Sequence, residues 1–140
     1  MNSLERSPLP SSEIKKLANL LDDATLEGCE VERLTLIHPE LSLSDAYLIQ
    51  DAGIERRFLR GEKQLGFKMG LTSEAKRKQM NLDSSIYGVL TDRMEVKDGA
   101  TFSLRGSIHP KIEPEIAFII GRDIKGPITF EEALESCSGV

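Results

Sequence analysis

The sequence contains no apolar stretch close to the roughly 20 residues that a membrane-spanning helix needs. Its N-terminus also lacks the apolar core of a signal peptide, since Glu5, Pro8 and Pro10 stand in that stretch. The only cysteines, Cys29 and Cys137, are isolated, so neither a disulfide framework nor a zinc knuckle is expected. These absences predict a cytoplasmic protein that does not act at a membrane.

An excess of positive charge is missing as well. The chain of 140 residues has 18 Lys and Arg against 23 Asp and Glu, which gives a formal net charge of −5. The basic cluster Lys76-Arg77-Lys78 is short and is interpreted as the solvated face of a helix. We therefore expect no binding of nucleic acid, because an acidic surface repels phosphates. Apolar residues make up 39% and charged residues 29%, as in an ordinary globular domain.

Helical periodicity is confined to residues 1–61. The pattern predicts a first helix that begins at Ser11 or Ser12 and stops at Gly28. A second helix is predicted from Ser42, which opens an approximate capping box, to about Gly61. The N-terminal part therefore supplies helix-packing faces and no obvious chemistry.

Short apolar runs separated by glycine replace the helical pattern over residues 62–140. They predict four strands, which are Leu65 to Leu71, Ile86 to Leu90, Ala100 to Leu104 and Ile116 to Ile120. A short helix is predicted over 73–80, a turn over 97–99, and a final helix from Phe130, where Thr129 and Glu132 form a capping box. Helices followed by strands indicate the α+β class.

Two carboxylates, Glu113 and Glu115, stand two residues apart just before an apolar run. On a strand they would share one face, with Cα atoms about 6.6 Å apart, close enough to hold one hard cation. Pro114 between them favours a sheet edge or a bulge. The pair therefore indicates either a metal site or a solvent-facing, salt-bridged edge.

Lys68 interrupts the predicted strand Leu65 to Leu71, and His109 precedes Pro110 near the two glutamates. A lysine in such a strand either extends its ammonium to solvent or, beside a metal, pairs with an anionic substrate. We expect the ammonium of Lys68 to approach the carboxylate pair. His109 is interpreted as a hydrogen-bonding loop residue rather than a metal ligand.

Three segments together resemble one known family. They are Lys68-Met69-Gly70-Leu71-Thr72, Ile86-Tyr87-Gly88 and His109-Pro110-Lys111-Ile112-Glu113-Pro114-Glu115-Ile116-Ala117. In order and spacing they resemble the hydratase and decarboxylase branch of the fumarylacetoacetate hydrolase superfamily. The resemblance runs from about Ser42 to the C-terminus, and its three motifs in register make it specific.

This resemblance implies a helical N-terminal region followed by part of a mixed β-sheet around Mg²⁺ or Mn²⁺. It implies metal ligands at Glu113 and Glu115, a substrate-facing lysine at Lys68 and a substrate pocket that includes Ile86 and Tyr87. At the second motif, hydratases of the branch have a sequence similar to Pro-Asp-Phe-Gly, whereas decarboxylases have one similar to Pro-Ile-Tyr-Gly. The isoleucine therefore favours decarboxylation, although Ser85 departs from the proline of both patterns.

The implied reaction converts 2-oxo-3-hexenedioate to 2-hydroxypenta-2,4-dienoate during meta-cleavage degradation of aromatic compounds. The alternatives are a hydratase of 2-hydroxypenta-2,4-dienoate and an inactive fragment or partner module. The resemblance also implies a homo-oligomer, with a complex with the pathway hydratase as a further possibility. It places a third carboxylate ligand beyond Val140, so we expect the N-terminal half of a longer enzyme, with the apolar face of Ile116 to Ile120 left partly uncovered.

Overall fold

A computed structural model describes residues 8–140, which form two compact units, residues 8–108 and residues 109–140. The first unit contains α1 (Ser11–Glu27), α2 (Leu34–Ile37), α3 (Leu43–Leu59), β1 (Gln64–Gly70), α4 (Glu74–Gln79), β2 (Ile86–Thr91) and a 3-10 turn (Asp92–Met94). The second contains β3 (Ile119–Ile120), α5 (Phe130–Glu135) and β4 (Cys137–Gly139). Helices combined with small antiparallel sheets confirm the predicted α+β class.

The predicted division at residue 61 falls inside the first unit. The division into a helical region, residues 1–61, and a β-rich catalytic region, residues 62–140, stays a prediction. Glu5, used above to argue about the N-terminus, lies outside the described residues. Within residues 8–140, no helix combines the length and the apolar character needed to cross a membrane.

The core of the first unit lies between α1 and α3. Its buried members are Ile14, Leu17 and Ala18 of α1 and Ile49 of α3. The three α1 residues recur at the spacing of one helix face, which is the periodicity that predicted this helix. The helix begins at Ser11, one of the two predicted starts, but no serine side chain caps it, because Pro10 occupies the N-cap.

Asp45 fixes the beginnings of two helices. Its carboxylate accepts hydrogen bonds from the backbone N–H of Ser42 at 3.0 Å and, across 36 positions of sequence, from the N–H of Leu9 at 2.8 Å. The hydroxyl of Ser42 in turn accepts from the N–H of Asp45 at 3.1 Å, which completes the predicted capping box. Asp45 is 1% exposed, so one buried carboxylate links the chain before α1 to the start of α3.

A second buried carboxylate, Asp22, joins α1 to the C-terminal turns of α3. Arg60 donates two hydrogen bonds to it, at 2.6 and 2.9 Å, and Nε of Arg56 donates a third at 2.8 Å. Hydrogen bonding to Arg60, opposed in part by burial, lowers the pKa of Asp22 below its ordinary value of 3.8. Nearby, the hydroxyl of Thr91 donates to Glu62 at 2.6 Å, with both residues buried.

The strands β1 and β2 form an antiparallel pair, which we call the β1–β2 ribbon. The predictions of both strands and of α4 between them are confirmed. The strand predicted over Ala100 to Leu104 is wrong, because this segment has no regular secondary structure. The turn before it does form, with the N–H of Ala100 donating to the carbonyl of Lys97 at 3.0 Å. An apolar run becomes a strand only when another strand satisfies its backbone groups.

In the second unit, the predicted strand Ile116 to Ile120 is regular only at Ile119–Ile120, which pairs with β4. The capping box of Thr129 and Glu132 forms, and α5 begins at Phe130 as predicted. Ile116 is 75% exposed and Phe118 53%, so the expected uncovered apolar face is observed.

Candidate active site

Lys68 lies in the middle of β1, directly opposite Gly88 of β2. Because alternate residues of a strand share a face, Gly66 and Gly70 lie on the same face as Lys68. A methyl group added at Gly66 or at Gly88 would meet no atom within 4 Å. The exposed lysine therefore stands on a surface of glycines with open space above it.

Ile86 shares this face, because it pairs with Gly70 and lies two residues from Gly88. A methyl group built on Gly70 would approach Cγ1 of Ile86 to 3.1 Å, so the isoleucine leans across the glycine. Diagonal neighbours on a sheet face are roughly 7–8 Å apart, within reach of a long side chain. Leu90, the partner of Gly66, lies on the same face, so this face combines one cation with the apolar side chains of Ile86 and Leu90.

Tyr87 occupies the opposite face of the ribbon, since it follows Ile86 directly in the strand. Its ring stacks on Tyr47 of α3 with centroids 4.7 Å apart and contacts Phe67 edge-on at 5.9 Å. The two predicted pocket residues therefore point in opposite directions. Ile86 is the one that accompanies Lys68, and Tyr87 packs the ribbon onto α3.

The outer edge of β2 is hydrogen-bonded to α3 side chains. Gln50 accepts a hydrogen bond from the N–H of Val89 at 3.0 Å and donates one to the carbonyl of Tyr87 at 3.2 Å. The N–H of Tyr87 donates to the hydroxyl of Tyr47 at 3.3 Å. Sequence reasoning missed both α3 residues, because polar side chains on an amphipathic helix carry no signal of what they will bind.

The segment that leaves β1 is held by Arg77 of α4. Its guanidinium donates to the carbonyls of Leu71 at 3.1 Å and Thr72 at 2.6 Å. Leu71 has a left-handed backbone with φ of 53°, a conformation that costs energy for a leucine. Ser85, which stands where the family pattern has proline, donates its hydroxyl to the same Leu71 carbonyl at 3.4 Å. The departure from the pattern thus coincides with a contact to the end of β1.

Glu113 and Glu115 belong to the second unit, and both are exposed. They lie outside any strand, since β3 begins only at Ile119. The prediction that both glutamates stand on one strand is therefore wrong. Their convergence and their approach to Lys68 stay predictions. His109, just before this segment, has φ of 46°, which is unusual for a residue other than glycine.

The chemistry of this pair suits a hard divalent cation. Mg²⁺ and Mn²⁺ prefer carboxylate oxygens, and Mg²⁺ is commonly held by only one or two carboxylates together with waters. The side chains of Glu113 and Glu115 are both exposed to solvent. Within residues 8–140, no group of three or more His, Cys, Asp or Glu side chains is arranged to hold a metal. The described residues therefore offer two of the expected ligands.

No protein-family model matches the chain. Curated proteins do match it. The chain is 40% identical over 119 residues to 4-oxalocrotonate decarboxylase of Pseudomonas putida, covering 85% of this chain and 45% of that protein. It is also 40% identical over 110 residues to 2-hydroxyhexa-2,4-dienoate hydratase of Comamonas testosteroni, covering 76% of this chain and 42% of that protein.

A solved structure of 4-oxalocrotonate decarboxylase from Pseudomonas putida G7, complexed with magnesium and adipate, superposes with a TM-score of 0.83 at 37% identity. The match covers 87% of this chain and 46% of that one. Over the stretch it shares with them, the chain is similar to these decarboxylases and hydratases in sequence, and to the decarboxylase in fold. A second structure of the decarboxylase, complexed with calcium and acetate, also has a TM-score of 0.83. The chain spans about 45% of the length of the decarboxylase.

Proposed function

We propose that the chain carries the substrate-facing lysine and two metal ligands of an enzyme that decarboxylates 2-oxo-3-hexenedioate. The product is 2-hydroxypenta-2,4-dienoate, formed in the meta-cleavage degradation of aromatic compounds. The observation that carries this proposal is the glycine-lined face on which Lys68 and Ile86 stand together. Identity of 40% with a 4-oxalocrotonate decarboxylase supports it.

Glu113 and Glu115 are the proposed ligands of Mg²⁺ or Mn²⁺. When bound, the metal supplies positive charge that draws electrons toward the 2-oxo group of the substrate. A neutral or basic side chain at either position would be a poorer ligand for a hard cation.

Lys68 is the proposed catalytic residue. In the reaction, the bond to the distal carboxylate breaks, CO₂ leaves, and the electron pair moves through the double bond to the 2-oxo oxygen. A proton from solvent on that oxygen gives the 2-hydroxy-dienoate. The ammonium of Lys68 stabilises the negative charge that develops during this step, which is the kind of electrostatic effect that contributes most in many enzymes.

We propose that Ile86 forms an apolar surface of the pocket beside the carboxylate that leaves as CO₂. An apolar surface disfavours a carboxylate and tolerates neutral CO₂, so it favours loss of the charge. Hydration needs instead a group that delivers a proton to carbon and activates water, a role for which an aspartate at this position is suited. The apolar side chain on the face of Lys68 therefore favours decarboxylation.

The test is release of CO₂ from 2-oxo-3-hexenedioate with Mn²⁺ present, measured in the full-length enzyme of which this chain is proposed to be a part. It compares Ile86→Asp with the matched control Ile86→Val. We expect the aspartate to lower turnover by about tenfold or more, because it repels the substrate carboxylate and pairs with Lys68. The valine keeps this surface apolar and should change turnover by less than about threefold. Equal turnover in both variants would contradict the role given to Ile86.

A hydratase of 2-hydroxypenta-2,4-dienoate is the second candidate, supported by the 40% identity with the Comamonas hydratase. The same assay separates the two reactions. Consumption of the dienoate without release of CO₂ from the six-carbon acid would identify the hydratase. Ile86 in place of a proton-delivering aspartate is the observation against it.

A partner module without activity of its own is the third candidate. It is supported by the lack of a third ligand beside the proposed pair Glu113 and Glu115 within residues 8–140, and by a match that spans 45% of the decarboxylase. We propose that the protein is cytoplasmic, forms homo-oligomers and associates with the pathway hydratase.

The partner-module candidate is tested by titration calorimetry with Mn²⁺ together with the CO₂ assay. These should show weak Mn²⁺ binding and no turnover for the 140-residue chain alone. Tight binding with turnover by a monomer would reject this candidate.

A further inference from the structure

We propose that Gln50 is a positioning residue for the face that carries Lys68. Its side-chain amide takes the place of a neighbouring strand and holds β2 in register, with Gly88 opposite the lysine. The effect on turnover rests on the proposed function, whereas the structural part of the inference does not. The side chain of Gln50 forms its hydrogen bonds with the backbone of β2, so it acts through that strand.

The hydrogen bonds of Gln50 have the donor and acceptor pattern of a peptide group. The amide oxygen accepts from the N–H of Val89 at 3.0 Å, and the amide nitrogen donates to the carbonyl of Tyr87 at 3.2 Å. A neighbouring strand would satisfy the same two groups. Tyr47, one turn earlier on α3, accepts from the N–H of Tyr87 at 3.3 Å, so three consecutive edge groups are bound by one helix.

These contacts bracket Gly88. Backbone groups of alternate residues in an antiparallel strand face opposite edges, so Tyr87 and Val89 face α3 while Gly88 faces β1. Gly88 is the direct partner of Lys68. Its lack of a side chain leaves this stretch of strand with little packing of its own, so hydrogen bonds on both edges are what fix its place.

The helix that supplies these contacts is itself held firmly. Ile49, next to Gln50, is 3% exposed in the α1–α3 core and sets the rotation of the helix. The stacked rings of Tyr47 and Tyr87 set its distance from the ribbon. A rigid helix that binds the strand edge on both sides of Gly88 transmits its position to the glycine and, two residues on, to Ile86.

The experiment compares Gln50→Met, which keeps length and removes both hydrogen bonds, with Gln50→Glu, which keeps the acceptor for Val89. Gln79→Met on α4 is the matched control, because Gln79 is exposed and the side chains that bind the β2 edge belong to α3. Amide hydrogen exchange measured by NMR reports the structural part. We expect exchange of the Val89 amide to rise by about tenfold in Gln50→Met and to stay near the wild-type rate in the other two variants.

The kinetic readout is kcat and KM for decarboxylation by the full-length enzyme of which this chain is proposed to be a part, under conditions where every variant is folded. Gln50→Met should lower kcat by about tenfold to a hundredfold with KM changed by less than about threefold, as a misplaced catalytic group does. Gln50→Glu should recover part of that loss. A residue that only adds stability would leave kcat unchanged in the folded variant.

Two results would overturn the inference. One is a Val89 amide that exchanges at the wild-type rate in Gln50→Met, and the other is faster exchange with kcat unchanged. If the wild-type protein releases no CO₂, the proposed function fails separately. In that case the positioning role of Gln50 is tested by the exchange rate of the Val89 amide and by the amide chemical shifts of Ile86 and Gly88. If β2 keeps its place without Gln50, neither the exchange rate nor the chemical shifts should change in Gln50→Met.

Discussion

Replacing Asp22 with asparagine should strongly destabilise the first unit. The carboxylate is 2% exposed and receives three hydrogen bonds from Arg56 and Arg60. Removing one member of a buried ion pair typically costs about 3–5 kcal/mol. The two arginine side chains are 31% and 30% exposed, so water screens the pair and weakens it. We therefore expect a loss of about 2 kcal/mol in the free energy of unfolding.

Urea unfolding followed by tyrosine fluorescence measures this loss selectively. The sequence has no tryptophan, and both of its tyrosines, Tyr47 and Tyr87, lie in the first unit. With a denaturant slope of about 2 kcal/mol per molar, the midpoint should fall by about 1 M urea. Asp23→Asn is the matched control, because this neighbouring carboxylate is 52% exposed and bonds only Arg56. It should cost under about 0.5 kcal/mol.

The pH dependence gives a second measure of the same carboxylate. The pKa of Asp22 is lowered by folding, so the folded state binds its proton less readily than the unfolded state. Its contribution to stability is therefore fully present above the ordinary pKa of 3.8 and is lost as pH falls through the lower folded value. The difference in free energy of unfolding between the wild type and Asp22→Asn should therefore shrink as the pH falls below 3.8. Equal midpoints for the Asp22 and Asp23 variants at neutral pH would refute the reasoning.

The remaining predictions test the metal ligands and two helix ends. Glu115→Gln should weaken Mn²⁺ binding by about tenfold or more in calorimetry, because a neutral amide is a poor ligand for a hard cation, whereas Glu131→Gln on α5 should leave it unchanged. Gly28→Ala should destabilise the chain by about 2 kcal/mol, since φ is 66° and the new methyl would meet a carbonyl oxygen at 2.8 Å. Gly61→Ala, with φ of 89° and open space, should cost about 1 kcal/mol, and similar losses in the two variants would contradict the contact argument. Ser42→Ala should lower the thermal midpoint by removing about 1 kcal/mol of N-capping, and an unchanged midpoint would show that the cap contributes nothing.

The features that the sequence predicted well depend on residues close together in the chain. The capping boxes at Ser42 and Thr129 need partners only three positions away, and both form. The left-handed stop at Gly28 needs only the absence of a side chain. Local signals of this kind are independent of the rest of the fold, which is why they were predictable.

The features that the sequence predicted poorly depend on distant partners. Ala100 to Leu104 has the apolar character of a strand, yet none forms, because strand formation requires a second strand in register. The role of Gln50 depends on a strand 37 to 39 positions away. Lys68 and Ile86 were identified from motifs, but that they share a face while Tyr87 does not follows from the pairing of β1 with β2.

Asp45 has a practical consequence for anyone who produces this protein. Because its carboxylate holds the N–H of Leu9 while it caps α3, the amide at position 9 is part of the helical core although it precedes α1. A purification tag can be joined ahead of this residue without touching the bond. A cut that removes Leu9 deletes one donor of this buried carboxylate, so the yield of folded protein should drop when Leu9 is lost.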